Sequence, residues 1–221
     1  MEPLRPAYYL HAGPPKTGTT FIQSLLREHR DALARDGIVF PTLGKYGRFL
    51  AALDGRDKHT YRGQKYDAAG QWQRFVDTTA QVRGKVVFSH ELLGFPRADR
   101  TPTALRALAS YETHVVLTAR DPGRQLPSCW QQHLRHGRTT TFAEYVASID
   151  PDRASGAGRF EGQRIDRVVE RWAAHLRADR IHIVTLPPSG ADPAVLWTRF
   201  CSLLGADADR YPLQDGTRSN T

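Results

Sequence analysis

The stretch that decides the fold is Ala7-Tyr8-Tyr9-Leu10-His11-Ala12-Gly13-Pro14-Pro15-Lys16-Thr17-Gly18-Thr19-Thr20-Phe21. Its first six residues form a short apolar run closed by glycine, the pattern of a buried strand. From Thr19 to Arg35 the apolar residues Phe21, Ile22, Leu25, Leu26 and Leu33 recur at helical spacing, until Asp36-Gly37 ends the run. Between strand and helix lies a loop with two glycines, two prolines and a lysine. A loop in that place offers backbone N–H groups, backed by the helix N-terminus, to an anion.

The same alternation continues along the chain. Ile38-Val39-Phe40 is a short extended piece, and residues 44–70 read as irregular apart from a helical turn near Phe49–Leu53. Ala68–Val82 has a helical pattern, Lys85–Ser89 that of a buried strand, and Thr103–Ala109 that of a helix. His114–Ala119 is a third strand running into Arg120-Asp121-Pro122, where Asp before Pro signals a helix start. Residues 150–162 read as a mobile Gly- and Asp-rich loop. Gln163–Arg177 then predicts a helix, Arg180–Leu186 a strand and Ala194–Leu204 a last helix. Strands alternating with helices predict an α/β fold, with a central parallel β-sheet of about four to five strands covered by helices on both faces. No repeat and no long linker divides residues 1–221, so one P-loop-like domain is expected.

Composition narrows the function. Of 221 residues, 31 are Lys or Arg against 23 Asp or Glu, a formal charge of +8, and only five of the 31 are lysines. Two readings of this arginine bias stay open: the codon bias of a GC-rich genome, or a fork suited to binding phosphate or sulfate two oxygens at a time. The basic residues are scattered rather than clustered in runs, so no nucleic-acid partner is expected. No apolar run approaches the roughly 18 residues of a membrane helix, and no signal-peptide pattern opens the chain. Cys129 and Cys201 form neither a disulfide scaffold nor a metal-ligand spacing, and a cytoplasmic location is expected. His133 and His136 have no metal-site partner pattern, and His11 and His59 have no partner visible in the sequence.

Gly13 to Gly18 followed by hydroxyls resembles the Walker A loop, G-x-x-x-x-G-K-[ST], with one departure. Thr19 stands where the Walker lysine belongs, and the lysine lies inside the loop as Lys16. In that form, Pro15-Lys16-Thr17-Gly18-Thr19-Thr20-Phe21 resembles the 5′-phosphosulfate loop of the PAPS-dependent sulfotransferases, most closely that of small bacterial members of actinobacterial type. The resemblance implies that Lys16 contacts the bridging oxygen and sulfuryl group of 3′-phosphoadenosine 5′-phosphosulfate (PAPS). Thr17, Gly18, Thr19 and Thr20 would hold its oxygens. Phe21 would pack on the adenine, or else serve only as a core residue of the helix.

Two further elements fit the resemblance. Arg120 ends the third strand and Ser128 follows eight residues later, the pair that would bind the 3′-phosphate. Arg124 is a spare base in the same turn. The second strand leads into His90 and Glu91, either of which could take the acceptor's proton; strand alternation would let only one of them face the acceptor. Gly216-Thr217-Arg218-Ser219-Asn220 matches a closing basic segment, with Arg218 on the nucleotide; the sequence stops at Thr221, so a truncated end is also an expectation. The resemblance implies no metal requirement. The acceptor would be a small molecule, lipid or carbohydrate met by residues 44–70, with Tyr46, Lys58, His59, Tyr61 and Tyr66 as candidates, and by the 150–162 loop. The alternatives are a kinase-like phosphoryl transferase, which Thr19 argues against, and a non-catalytic anion- or nucleic-acid-binding protein.

Overall fold

The computed structural model describes residues 5–94, 102–148 and 164–214. The expected loop at 150–162 and Arg218 lie outside them. Five strands form one sheet: β1 (Ala7–His11), β2 (Ile38–Val39), β5 (Lys85–Ser89), β6 (Glu112–Ala119) and β7 (Ile181–Thr185). Their order is β2-β5-β1-β6-β7, and every neighbouring pair is parallel. The chain leaves β1 towards β5 on one side and later returns to β6 on the other. That reversal opens a crevice at the carboxyl ends of β1 and β6, where open α/β sheets bind their ligands.

Alternation along the strands builds two cores. Tyr8, Leu10, Val86, Phe88, Val115 and Leu117 face one side, where they meet Trp72, Phe75 and Trp172. Tyr9, Val87 and Val116 face the other, against Ile22, Leu25, Trp197 and Phe200. The first layer comprises α3 (Gly44–Gly55), α4 (Gln71–Thr79), α5 (Thr103–Ala107) and α8 (Ile165–Ala173). The second comprises α1 (Thr19–Glu28), α2 (Arg30–Arg35) and α9 (Ala194–Leu203). Helix α6 (Pro122–Arg135) follows β6, and a short α7 (Phe142–Ala147), which the sequence pattern did not announce, follows it behind a Thr141/Glu144 capping box.

Two expectations are corrected. The helix expected over 19–35 breaks at His29 into α1 and α2. Residues 44–70 are not irregular: they hold α3, twelve residues long, and a hairpin of β3 (Thr60–Tyr61) and β4 (Gln64–Lys65). Glycines at 44, 47 and 55 lower the helix propensity of this region, and packing overrides it. Ala52 and Leu53 are fully buried, and Asp54 Oδ2 accepts a 2.9 Å bond from the Trp72 N–H. Gly55 leaves room for the indole, since a Cβ there would lie 2.7 Å from Trp72 Cε3. The hairpin turns at Arg62 and Gly63 with φ of 50° and 79°, as a type I′ turn requires.

Candidate active site

The loop at 13–18 lies between β1 and α1, where the sequence puts it. Lys16 and Gly18 take left-handed backbone conformations, φ 67° and 80°. For a non-glycine residue this costs roughly 1–2 kcal/mol, and such strain concentrates at functional sites. Gly13 is required by a close approach: a Cβ on it would sit 1.9 Å from Thr118 Oγ1. A Gly13→Ala variant is therefore expected to lose about 1–3 kcal/mol of stability as loop and strand are forced apart, which denaturant titration would measure.

The N-terminus of α1 has no side-chain cap and no acidic residue in its first turn. By contrast, Asp121 caps α6 by accepting a bond from the Gly123 N–H at 2.9 Å. Of these two helices starting at the sheet edge, α1 thus keeps its free N–H groups and positive dipole end for an anion. Thr19 is buried and Thr20 exposed, and both border the cleft together with Gly18, Lys16 and Pro15. Thr17 does not border it. Its hydroxyl is buried, donating to the Pro14 carbonyl at 2.5 Å and lying 2.7 Å from Thr118 Oγ1. Phe21 belongs to the core beneath α1 while still bordering the cleft.

Arg120 stands at the tip of β6 and joins the two expected subsites. Its Nη1 donates to the Lys16 carbonyl and to Ser128 Oγ, both at 3.3 Å. Among the described residues its buried Nε has no hydrogen-bond partner. A buried guanidinium N–H left unpaired beside this loop suits an anionic ligand. Lys16 Nζ donates to Gln132 Oε1 at 2.8 Å on α6. Gln132 Nε2 and Arg62 Nη2 both lie 3.1 Å from His136 Nε2, so the hairpin tip and the end of α6 meet across the cleft.

His90 and Glu91 have separate environments. The strand stops at Ser89, so strand alternation does not divide them; Glu91 opens a 3-10 turn, Glu91–Gly94. His90 turns inward: its Nδ1 accepts the Leu92 N–H at 3.1 Å and its ring packs near Phe49. Burial, reinforced by Arg48 and Arg56, lowers its pKa to about 4. Glu91 borders the cleft. Burial raises its pKa above the ordinary carboxylate value, while Lys16 and Arg62 pull it back.

The cleft measures about 1630 Å³, larger than the roughly 300–1,000 Å³ typical of a single small-ligand pocket. Lys16, Arg62, Arg120, Arg124 and Arg138 line it, and Glu91 is the one carboxylate among its described lining residues. Of the aromatic and basic candidates expected in 44–70, Tyr61 borders it, while Tyr46 is exposed elsewhere and Tyr66 packs on Phe49. Arg62, Gln132 and the 186–191 segment were not anticipated. They come to the cleft through tertiary contacts that no local pattern encodes. Cys129 also borders it, with burial raising its thiol pKa to about 11. Among the described residues no three metal-ligating side chains come together, and no helix is long and apolar enough to cross a membrane.

A five-stranded parallel sheet with a glycine-bearing strand–loop–helix connection at its carboxyl edge defines a P-loop-like α/β fold. No family model matches the chain, and no curated protein matches it. Among solved structures it is similar to the crystal structure of a sulfotransferase from Alicyclobacillus acidocaldarius, with a TM-score of 0.59 and 18% identity over 96% of this chain and 88% of that one. The fold is therefore that of a sulfotransferase.

Proposed function

We propose that the protein transfers a sulfuryl group from PAPS to a hydroxyl or amine of a small-molecule, lipid or carbohydrate acceptor. The observation that carries this reading is the Arg120 contact. One guanidinium touches both the Lys16 carbonyl and Ser128, coupling a phosphosulfate loop to a 3′-phosphate pair. In the reaction the acceptor oxygen attacks sulfur in line, and the sulfur–oxygen bond to the 5′-phosphate breaks. Lys16 offsets charge growing on the departing bridging oxygen, with the uncapped α1 N-terminus behind it. Glu91 receives the acceptor's proton, and adenosine 3′,5′-bisphosphate leaves. Arg120 and Ser128 hold the 3′-phosphate, and the reaction requires no metal. An acceptor screen with labelled PAPS tests the reading; absence of labelled product across hydroxyl, phenol and amine acceptors would count against it.

Glu91 rather than His90 is the base in this account because Glu91 borders the cleft and His90 is hydrogen-bonded away from it. The active form is the carboxylate, so transfer falls as pH drops through its raised pKa. Glu91→Gln is expected to cost about 10²–10⁴ in kcat and to abolish that acid limb. His90→Gln should keep the limb. A profile in which only the His90 variant loses it would reverse the assignment.

A further inference from the structure

Beneath the loop lies a side chain for which the proposed reaction has no role. His11, the last residue of β1, is fully buried and both ring nitrogens face hydroxyls. Nδ1 is 2.8 Å from Ser89 Oγ at the end of β5, and Nε2 is 3.5 Å from Thr118 Oγ1 on β6. The sheet register pairs His11 with Ser89 directly. The ring also packs on Phe200, centroid to centroid 5.3 Å. His11 therefore joins the ends of three strands directly below the anion cradle.

The hydrogen positions follow from counting donors. The Thr17 hydroxyl donates to the Pro14 carbonyl at 2.5 Å, so its oxygen accepts from Thr118 at 2.7 Å. That contact uses the single hydroxyl hydrogen of Thr118, which can then only accept from His11. Nε2 must carry the ring hydrogen, and Nδ1 is left to accept from Ser89. Ser89 Oγ accepts in turn from Gln23 Nε2 at 3.1 Å on α1. Every donor points the same way, from α1 through Ser89, His11, Thr118 and Thr17 to the loop carbonyl. Burial lowers the His11 pKa to about 3 and keeps the ring neutral.

We propose that His11, held as the neutral Nε2–H tautomer, is a positioning residue that fixes the phosphate loop through Thr118 and Thr17. Its value for catalysis rests on the sulfotransferase reading; the ring's tautomer and its hold on the loop do not. The loop needs an outside anchor because Lys16 is in a left-handed conformation and the α1 N-terminus has no side-chain cap. With Thr118 fixed, Thr17 is fixed, and the peptide groups around Lys16 follow.

Nitrogen-15 NMR of the ligand-free chain reads the tautomer directly. His11 should show a protonated Nε2 and a bare Nδ1, unchanged across about pH 5 to 8, where an ordinary histidine titrates. An Nδ1–H ring, or one titrating in that window, overturns the proposal. Two variants test the positioning. A Gln amide can still donate towards Thr118, whereas the shorter Asn amide serves only the Ser89 side. His11→Asn should weaken binding of adenosine 3′,5′-bisphosphate about tenfold or more, the scale of one lost buried hydrogen bond, while His11→Gln stays near the parent. Amide hydrogen exchange over residues 13–20, measured without ligand, should quicken in the Asn variant and not in the Gln variant. Equal behaviour of the two variants overturns the positioning role. If the parent itself binds no nucleotide, the functional reading fails while exchange and tautomer still decide this one. Should His11→Asn fail to fold, the tautomer and the retained affinity of His11→Gln decide it.

Discussion

Lys16→Ala is expected to lower kcat for sulfuryl transfer by about 10²–10³ or more, the cost of losing one group aimed at developing charge, with little change in melting temperature. Structure and chemistry separate cleanly at this residue. Among the described residues its ammonium makes one hydrogen bond, to Gln132 at 2.8 Å, and that bond joins two partly exposed side chains. Removing it costs little stability, in the range of about 0.5 kcal/mol for a surface substitution. Alanine would adopt the same φ of 67°, so the backbone strain is left in place. What disappears is the positive charge in the loop. Lys16→Arg keeps the charge but replaces a compact ammonium by a broad planar fork, so it should recover only part of the rate. A Lys16→Ala enzyme with near-parental kcat would remove the lysine from the chemistry.

Arg120→Met is expected to raise the Kd for adenosine 3′,5′-bisphosphate by about 10- to 150-fold, the equivalent of a charge-assisted hydrogen bond worth roughly 1.5–3 kcal/mol. The guanidinium lies against Ser128, and its Nε is a buried donor without a partner among the described residues. A phosphate would satisfy that donor. The effect should depend on the 3′-phosphate: adenosine 5′-phosphosulfate, which lacks it, should bind parent and variant almost alike. Discrimination between the two nucleotides should therefore collapse, as read by parallel titrations. Ser128→Ala should move it in the same direction by less. Because Arg120 also holds the Lys16 carbonyl at 3.3 Å, some kcat is lost as well. Uniform weakening of both nucleotides would mean that Arg120 supports the loop rather than reads the phosphate.

The parts of this site that were legible in the sequence are those whose geometry is local. Strand, loop and uncapped helix follow one another within fifteen residues, so Gly13, Lys16 and Gly18 could be placed from order alone. Arg120 and Ser128 lie at a strand tip and two turns into one helix, and they meet as their spacing suggests. Glu91 and His90 could not be separated in this way. Their directions are set by a 3-10 turn after the strand has ended, not by strand alternation.

Other features depend on contacts distant in sequence. Helix α3 has three glycines within its bounds and is held by Trp72 and Asp54. Arg62 enters the cleft because a two-residue turn folds its hairpin towards His136, 74 residues away. His11 showed no partner in the sequence because its partners are hydroxyls at the ends of two other strands. Thr17 reads as an anion ligand by motif, yet its hydroxyl is turned into this network, while Thr19 and Thr20 border the cleft.

The proposed function requires this cleft to receive a nucleotide with anions at both its 5′ and 3′ ends. Isothermal titration of the protein with adenosine 3′,5′-bisphosphate, alongside Mg-ATP, tests it most directly. One site per chain is expected, with micromolar or tighter affinity, about 8 kcal/mol or more of binding free energy, and much weaker binding of Mg-ATP. Undetectable binding of the bisphosphate, or tighter binding of Mg-ATP, would contradict it.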